Sequence, residues 1–133
     1  MSTFHLRIST PDGLIFDDEV VSLRARMIDG DVGILAGHAN YVSAVGAGEA
    51  AIAFEDGTQR KAACIGGMLS VINHDAHLIA TTFEWAEQID LERAQQAREK
   101  AEARLAEAKD DKREILLAKA KLERALVRIK VKH

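Results

Sequence analysis

The sequence predicts an α+β chain, a β-sandwich or barrel over residues 1–86 followed by an antiparallel two-helix hairpin over 87–133. Three observations lead there. Glycine-bearing turns recur roughly every ten residues as far as Gly67, with short apolar runs between them, as in all-β modules. After Glu84 there is neither glycine nor proline, and alanine, leucine and charge repeat at helical spacing. The charge also changes sign: residues 1–89 carry 12 acidic and 5 basic side chains, residues 90–133 carry 9 and 13.

Residues 3–9 read as a strand that ends at Pro11-Asp12-Gly13, where proline presets φ and glycine tolerates φ > 0. Residues 20–28 alternate, with Val21, Leu23, Ala25 and Met27 on one face and Ser22, Arg24 and Arg26 on the other. Further turn signals stand at Asp29-Gly30, Gly37-His38, Gly46 to Gly48, Glu55-Asp56-Gly57, Gly66-Gly67 and Asn73-His74-Asp75. Among them lie four more short strands, at 50–54, 59–65, 69–72 and 77–82. Their inward residues are mostly alanine, valine and isoleucine, so a thin core is expected.

Asp90 is placed to cap a helix over 91–108, its carboxylate accepting a backbone N–H at the positive end of the dipole. Ala94, Ala101, Leu105 and Ala108 form its inner stripe, with Ala97 beside it. After a break at Lys109-Asp110-Asp111, Asp111 and Glu114 have capping-box spacing for a second helix over 112–130. Its seam, Ile115, Ala118, Leu122, Ala125 and Ile129, steps by three and four and asks for a partner helix along its length. The connection is short, so that partner is the preceding helix, antiparallel. An alanine stripe buries little apolar area, and a hairpin near the threshold of stability is expected.

Composition narrows the function. No apolar run is long enough to span a bilayer, and the amino terminus lacks a signal-peptide pattern. The single cysteine, Cys64, reads as a small core residue. Catalytic signatures are missing: no phosphate-cradling loop with a lysine, no nucleophile elbow, no paired-cysteine zinc site. His74 and His77 at a turn do not converge as ligands, and Asp29-Gly30-Asp31 lacks the rest of a calcium loop. An acidic body and an arm without aromatic residues argue against nucleic acid as a partner.

Thr10-Pro11-Asp12-Gly13, the run Asp31-Val32-Gly33-Ile34-Leu35-Ala36-Gly37-His38, Gly66-Gly67 and Ile89-Asp90-Leu91-Glu92-Arg93-Ala94 occur in this order. With that set the chain resembles, over essentially its whole length, the epsilon subunit of bacterial F-type ATP synthase. Ala36 and Asn40 depart from the family, which usually has prolines in this loop, and their absence loosens it. The resemblance implies an antiparallel β-sandwich of about ten strands with a helical hairpin. It implies a non-catalytic rotor subunit that couples gamma and the c-ring in proton-driven ATP synthesis, with a hairpin that inhibits ATP hydrolysis. The place it implies is the cytoplasmic side of the bacterial plasma membrane, reached only through the complex. Asp31 and His38 would face the c-ring and gamma. Arg113, Lys119, Arg124 and Arg128, with Lys121 and Lys130, would meet the acidic face of the beta subunits beside alpha.

Some family members bind ATP on the folded hairpin. Glu84, Ile89, Asp90, Arg93 and Ala94 match that site's motif, and Arg124 and Arg128 match its second-helix arginines. An i, i+4 arginine pair suits phosphates. Lys100 stands where ATP-binding members often have arginine, a point charge in place of a fork. No cofactor is required; a regulatory ATP is the one implied. The competing readings are a freestanding ATP-sensing regulatory domain and a generic adaptor, and co-purification with a membrane ATPase separates both from a rotor subunit.

Overall fold

The structure, a computed structural model, describes residues 2–133. Its contacts divide the chain into two compact units, Met1–Trp85 and Ala86–His133.

The first unit contains β1 (Phe4–Thr10), β2 (Gly13–Val20), β3 (Ser22–Met27), β4 (Gly30–Leu35), β5 (Tyr41–Ala44), β6 (Ala47–Ala53), β7 (Gln59–Ile72) and β8 (Asp75–Trp85). They form one sheet in the order β2-β1-β8-β7-β6-β3-β4, with β5 also paired to β7. The sheet curls around a single core that takes Phe4, Leu6 and Ile8 from β1, Leu23, Ala25 and Met27 from β3, and Leu69, Val71, Ala76 and Leu78 from β7 and β8. Alternate burial along β1 and β3 is the period-two signature of strands with one wet face.

The eight strands replace the expected ten or so, and the sheet is mixed rather than antiparallel throughout, because β1 runs parallel to β8, His5 opposite Asp75 to Ser9 opposite Ile79. The two runs expected at 59–65 and 69–72 are one long strand, β7. Gly66-Gly67 is a bend inside it instead of a turn. Pairing with β8 lapses at Gly66 and resumes in the same register, Ile65 opposite Thr82 and Gly67 opposite Ala80. Before the bend β7 pairs with β6, after it with β5. Gly67 has φ of 113°, and a Cβ there would lie 1.8 Å from the Ile79 carbonyl oxygen, so glycine alone fits. A true two-residue turn joins β7 to β8 at Asn73 and His74, whose φ values of 50° and 72° are those of a type I′ hairpin.

Most of the expected strand 20–28 is β3, which buries Leu23, Ala25 and Met27 as the alternation requires, and only its first residue belongs to another strand. β2 ends at the buried Val20, the chain turns at Val21, and β3 starts at Ser22. β2 carries Asp17, Asp18 and Glu19 along the edge of the sheet, where charge discourages further strand pairing. Four of the six aromatic residues, Phe16, Phe54, Phe83 and Trp85, gather at one place. Trp85 meets Phe83 and Phe16 edge to face with ring centroids 4.8 and 5.9 Å apart, and the Arg60 guanidinium lies 3.6 Å from the Trp85 ring centroid.

The second unit opens with a 3-10 turn, Ala86–Gln88, and continues as α1 (Leu91–Glu107) and α2 (Lys112–Lys132). Asp90 caps α1, accepting the Arg93 N–H at 3.1 Å. Asp111 caps α2, accepting from the N–H groups of Arg113 and Glu114 at 3.1 and 3.2 Å. The Asp111 N–H donates to the Ala108 carbonyl at 2.9 Å, which satisfies it without the return half of a capping box. Lys109, at φ of 49°, makes the left-handed step between the helices. The residues buried in α1 and α2 are Ala94, Ala101, Ala118, Ala125 and Val131. Among the described residues no helix is long and apolar enough to cross a membrane.

Candidate functional site

The two helices enclose a cleft of about 290 Å³ lined by Ala97, Lys100, Ala101, Arg104, Lys121, Arg124 and Arg128. The α1 positions are spaced 3, 1 and 3 apart and the α2 positions 3 and 4, so each set occupies one helix face. The buried Ala101 supplies the small floor, the exposed Ala97 its edge, and five cationic side chains the rim. Arg124 and Arg128 are half-buried. Among the described residues no carboxylate lines the cleft. The Arg98–Glu102 ion pair at 3.3 Å lies on α1 outside the lining. Five positive groups around one cleft give it a positive potential, although Lys100, Arg104 and Lys121 are exposed and so screened by water and salt.

Of the residues matched to an ATP motif, Arg124 and Arg128 line the cleft. Lys100, noted as the departure from that motif, lines it too. Asp90 and Arg93 do not: the Asp90 carboxylate is occupied at the start of α1 by the Arg93 N–H. Ile89 and Ala94 are buried. Glu84 belongs to β8, in the first unit. Sequence reading passed over Arg104 and gave Lys121 only a surface role. The signal was present, since Arg104 stands one turn beyond Lys100 and Lys121 one turn before Arg124.

The residues assigned to partners have diverse settings. Asp31 sits on β4 instead of in a loop. It lies opposite Arg26 on β3 with an Nη1–Oδ1 distance of 3.5 Å, both side chains more than half exposed. The loop proper is 36–40, where Gly37 has φ of 82° and the His38 N–H donates to the Leu35 carbonyl at 3.1 Å. The His38 ring nitrogen Nδ1 lies 2.7 Å from the Ala39 carbonyl, and the ring meets Tyr41 edge to face. That tie and Tyr41 hold His38 where the loop lacks proline. Arg113 and Lys119 are exposed on α2.

A further surface was not read from the sequence. Strand register places Ala44 opposite Met68, Met68 opposite Ile79, Ile79 opposite Ser9 and Ser9 opposite Leu14. This is one row across the outward face of the sheet, in which Leu14, Met68 and Ile79 are 56, 44 and 48% exposed. Val42, on the same face, is 61% exposed. The other end of this face is polar. There His5 bridges Asp17 and Glu19 across β1 and β2, and the hydrogen bond to Asp17, followed by that to Glu19, raises the His5 pKa above its ordinary value. His77 hydrogen-bonds Ser9 Oγ at 2.9 Å, and burial, with the Arg7 charge, lowers its pKa. Cys64 is buried, which pushes its thiol up to about 12 and leaves it inert.

A β body with an apolar outer row and a helical hairpin with a cationic cleft define a class of protein, a β-sandwich module that carries a charged helical arm. The comparisons specify it. Residues 3–86 match the family model of the ATP synthase delta/epsilon chain β-sandwich domain, and residues 87–132 that of the delta/epsilon chain long α-helix domain. The chain is 40% identical to the ATP synthase epsilon chain of Caldicellulosiruptor bescii over 98% of its own length and 94% of the relative's. It is 36% identical to the sodium-ion-specific ATP synthase epsilon chain of Acetobacterium woodii, over 82% of each. Its fold superposes on a chain of the Euglena gracilis mitochondrial ATP synthase with a TM-score of 0.89 at 22% identity, covering all of this chain and 83% of that one. The chain belongs to the ATP synthase delta/epsilon family, as an epsilon chain of the F-type enzyme. It is therefore a subunit of a larger catalyst and not an enzyme by itself.

Proposed function

We propose that this chain is the central-stalk subunit that couples gamma to the c-ring in proton-driven ATP synthesis, and that its hairpin restrains ATP hydrolysis. The observation that carries the first half is the division of labour along the chain. A sandwich with an exposed apolar row suits permanent docking in a rotor. Its partners in this reading are gamma, the c-ring and the alpha and beta subunits, on the cytoplasmic side of the bacterial membrane. The second half is supported by the separate helical unit, whose buried residues are small. It can rearrange at modest cost and present Arg113, Lys119, Arg124 and Arg128 to acidic surface. Each exposed contact contributes about 0–1 kcal/mol, so several must act together.

In the same reading ATP is a regulatory ligand, held by Arg124 and Arg128. The cationic cleft is what favours it. ATP on the folded hairpin keeps Arg124 and Arg128 from the beta subunits, so inhibition is released when ATP is plentiful. A freestanding ATP sensor is the alternative that the cleft by itself would equally serve.

The test is reconstitution of the alpha, beta, gamma and c subunits with the full chain or with a chain ending at Gln88. Both should sustain ATP-driven proton pumping, and only the full chain should depress hydrolysis, severalfold, with relief at high ATP. Failure of the full chain to enter the complex would leave the freestanding sensor. Equal hydrolysis with both chains would remove the inhibitory role.

A further inference from the structure

We infer that His77 gates the outward face of the β unit, which takes an apolar partner surface only while the His77 imidazole is neutral. This rests on the reading of that face as a rotor contact and makes the contact sensitive to pH. Strand register fixes where His77 lies. Beside the row from Ala44 to Leu14 runs a second, in which Val42 stands opposite Ser70, Ser70 opposite His77, His77 opposite Arg7 and Arg7 opposite Asp17. A third row carries Ile72, Asp75, His5 and Glu19. His77 therefore borders an apolar field, with Val42 in its own row, Met68 and Ile79 in the row on one side and Ile72 in the row on the other. All four of these side chains are exposed, whereas His77 is half-buried.

A partner that covers Val42, Met68, Ile72 and Ile79 also takes water away from His77, and dehydration disfavours the charged ring. The groups that face His77 do not offset this. On β1 they are Arg7, which repels a proton, and Ser9, whose Oγ lies 2.9 Å from Nε2 and suits the neutral ring. β7 presents Met68, Ser70 and Ile72 to this face, none of them charged. The carboxylates of Asp17 and Glu19 on β2 are engaged with His5, and Asp75, two residues away on β8, stands opposite His5. Burial and the Arg7 charge lower the His77 pKa in the free chain, and a docked partner moves it further the same way. As pH falls through that value, a proton must leave before docking, and affinity declines with it. The occupant is gamma. The row from Ala44 to Leu14 is uncharged, and apolar interfaces belong to subunits that stay together, whereas alpha and beta exchange contacts as a rotor turns. Asp31 on β4 and His38 in the loop 36–40 leave a polar contact to the c-ring.

Binding of the full chain to a surface-held complex of alpha, beta and gamma, at about pH 7.5 and about pH 5.5, tests this. Affinity should be severalfold lower at the acid value. His77→Gln, which keeps a hydrogen-bond partner for Ser9, should remove most of that difference. His5→Gln, at the polar end of the face, should keep it. His77→Lys is charged at both values and should bind weakly at both. Fluorescence of Trp85 checks that each variant is folded at each pH. A difference that persists in His77→Gln, or His77→Lys binding as tightly as the natural chain at the neutral value, would overturn the gate. Met68→Asp separates the gate from the docking reading. If it abolishes binding while the natural chain is indifferent to pH, the face docks gamma and His77 does not gate it. If it leaves binding unchanged, gamma docks elsewhere and both readings fall.

Discussion

The fully buried large side chains of the β unit are Leu6, Ile8, Leu23, Met27, Ile34, Ile52, Leu69 and Leu78, with Val20 and Val71, while no residue buried within α1 or α2 is larger than valine. A buried leucine or isoleucine contributes about 1.5–3 kcal/mol and an alanine much less. The β unit also has a ladder that ties strands distant in sequence, β1 to β8 and β3 to β6. The hairpin has two local helices and two aspartate caps. One chain thus carries a body built to persist and an arm built close to its threshold. In the folded protein, amides of α1 and α2 should exchange through openings of lower free energy than those of β7 and β8.

The largest effect should come from breaking the body. Gly67→Ala places a methyl group against the backbone of Ile79 and Ala80 at a φ that alanine resists, and should cost about 4 kcal/mol or more. Denaturant unfolding followed by fluorescence of Trp85, the sole tryptophan, reads this directly. Asp111→Ala tests the arm. It removes the acceptor for two N–H groups and should lower the stability of α2 by about 1 kcal/mol, seen as faster exchange in the hairpin with the Trp85 transition unmoved. A shift of both transitions together would show that the units do not unfold separately.

The smallest effect is expected at His5. Its raised pKa means that the Asp17 and Glu19 contacts stabilise β2 fully below its unfolded value and lose that contribution as pH rises through the folded value. His5→Gln should flatten this part of the stability profile, with a change under about 1 kcal/mol because the pair is on the surface. His77 works in the opposite sense. Its lowered pKa means that stability is retained above its unfolded value and declines as pH falls toward the folded one. His77→Gln should steepen the net dependence that His5 creates.

The helices were legible because each is specified locally. Asp90 and Asp111 cap where the sequence places them, and Ala118 and Ala125 are buried along the expected seam. Strand identity was harder wherever tertiary context overrode local pattern. β2 has only its last residue buried, so an edge strand reads as a polar loop. Gly66-Gly67 has the letters of a turn, and only the neighbours on both sides of β7 make it a bend. The parallel pairing of β1 with β8 joins segments about 70 residues apart and leaves no local trace. At the cleft, the motif pointed to Arg124 and Arg128. Arg104 escaped because its place in the lining depends on which face of α1 turns to α2, and an exposed arginine on a helix otherwise reads as solvated.

The bend at Gly66-Gly67 has a mechanical consequence. β7 and β8 keep one register from Ala62 opposite Trp85 to Ile72 opposite Asp75, with a lapse only at Gly66, where β6 gives way to β5. A twisting load on one end of this hairpin therefore passes along continuous backbone and its hydrogen bonds, like strain along a girder. Side chains packed by non-directional contact would slip under the same shear. A part that is turned many times without being remade benefits from such stiffness, and here two glycines provide the corner without a joint.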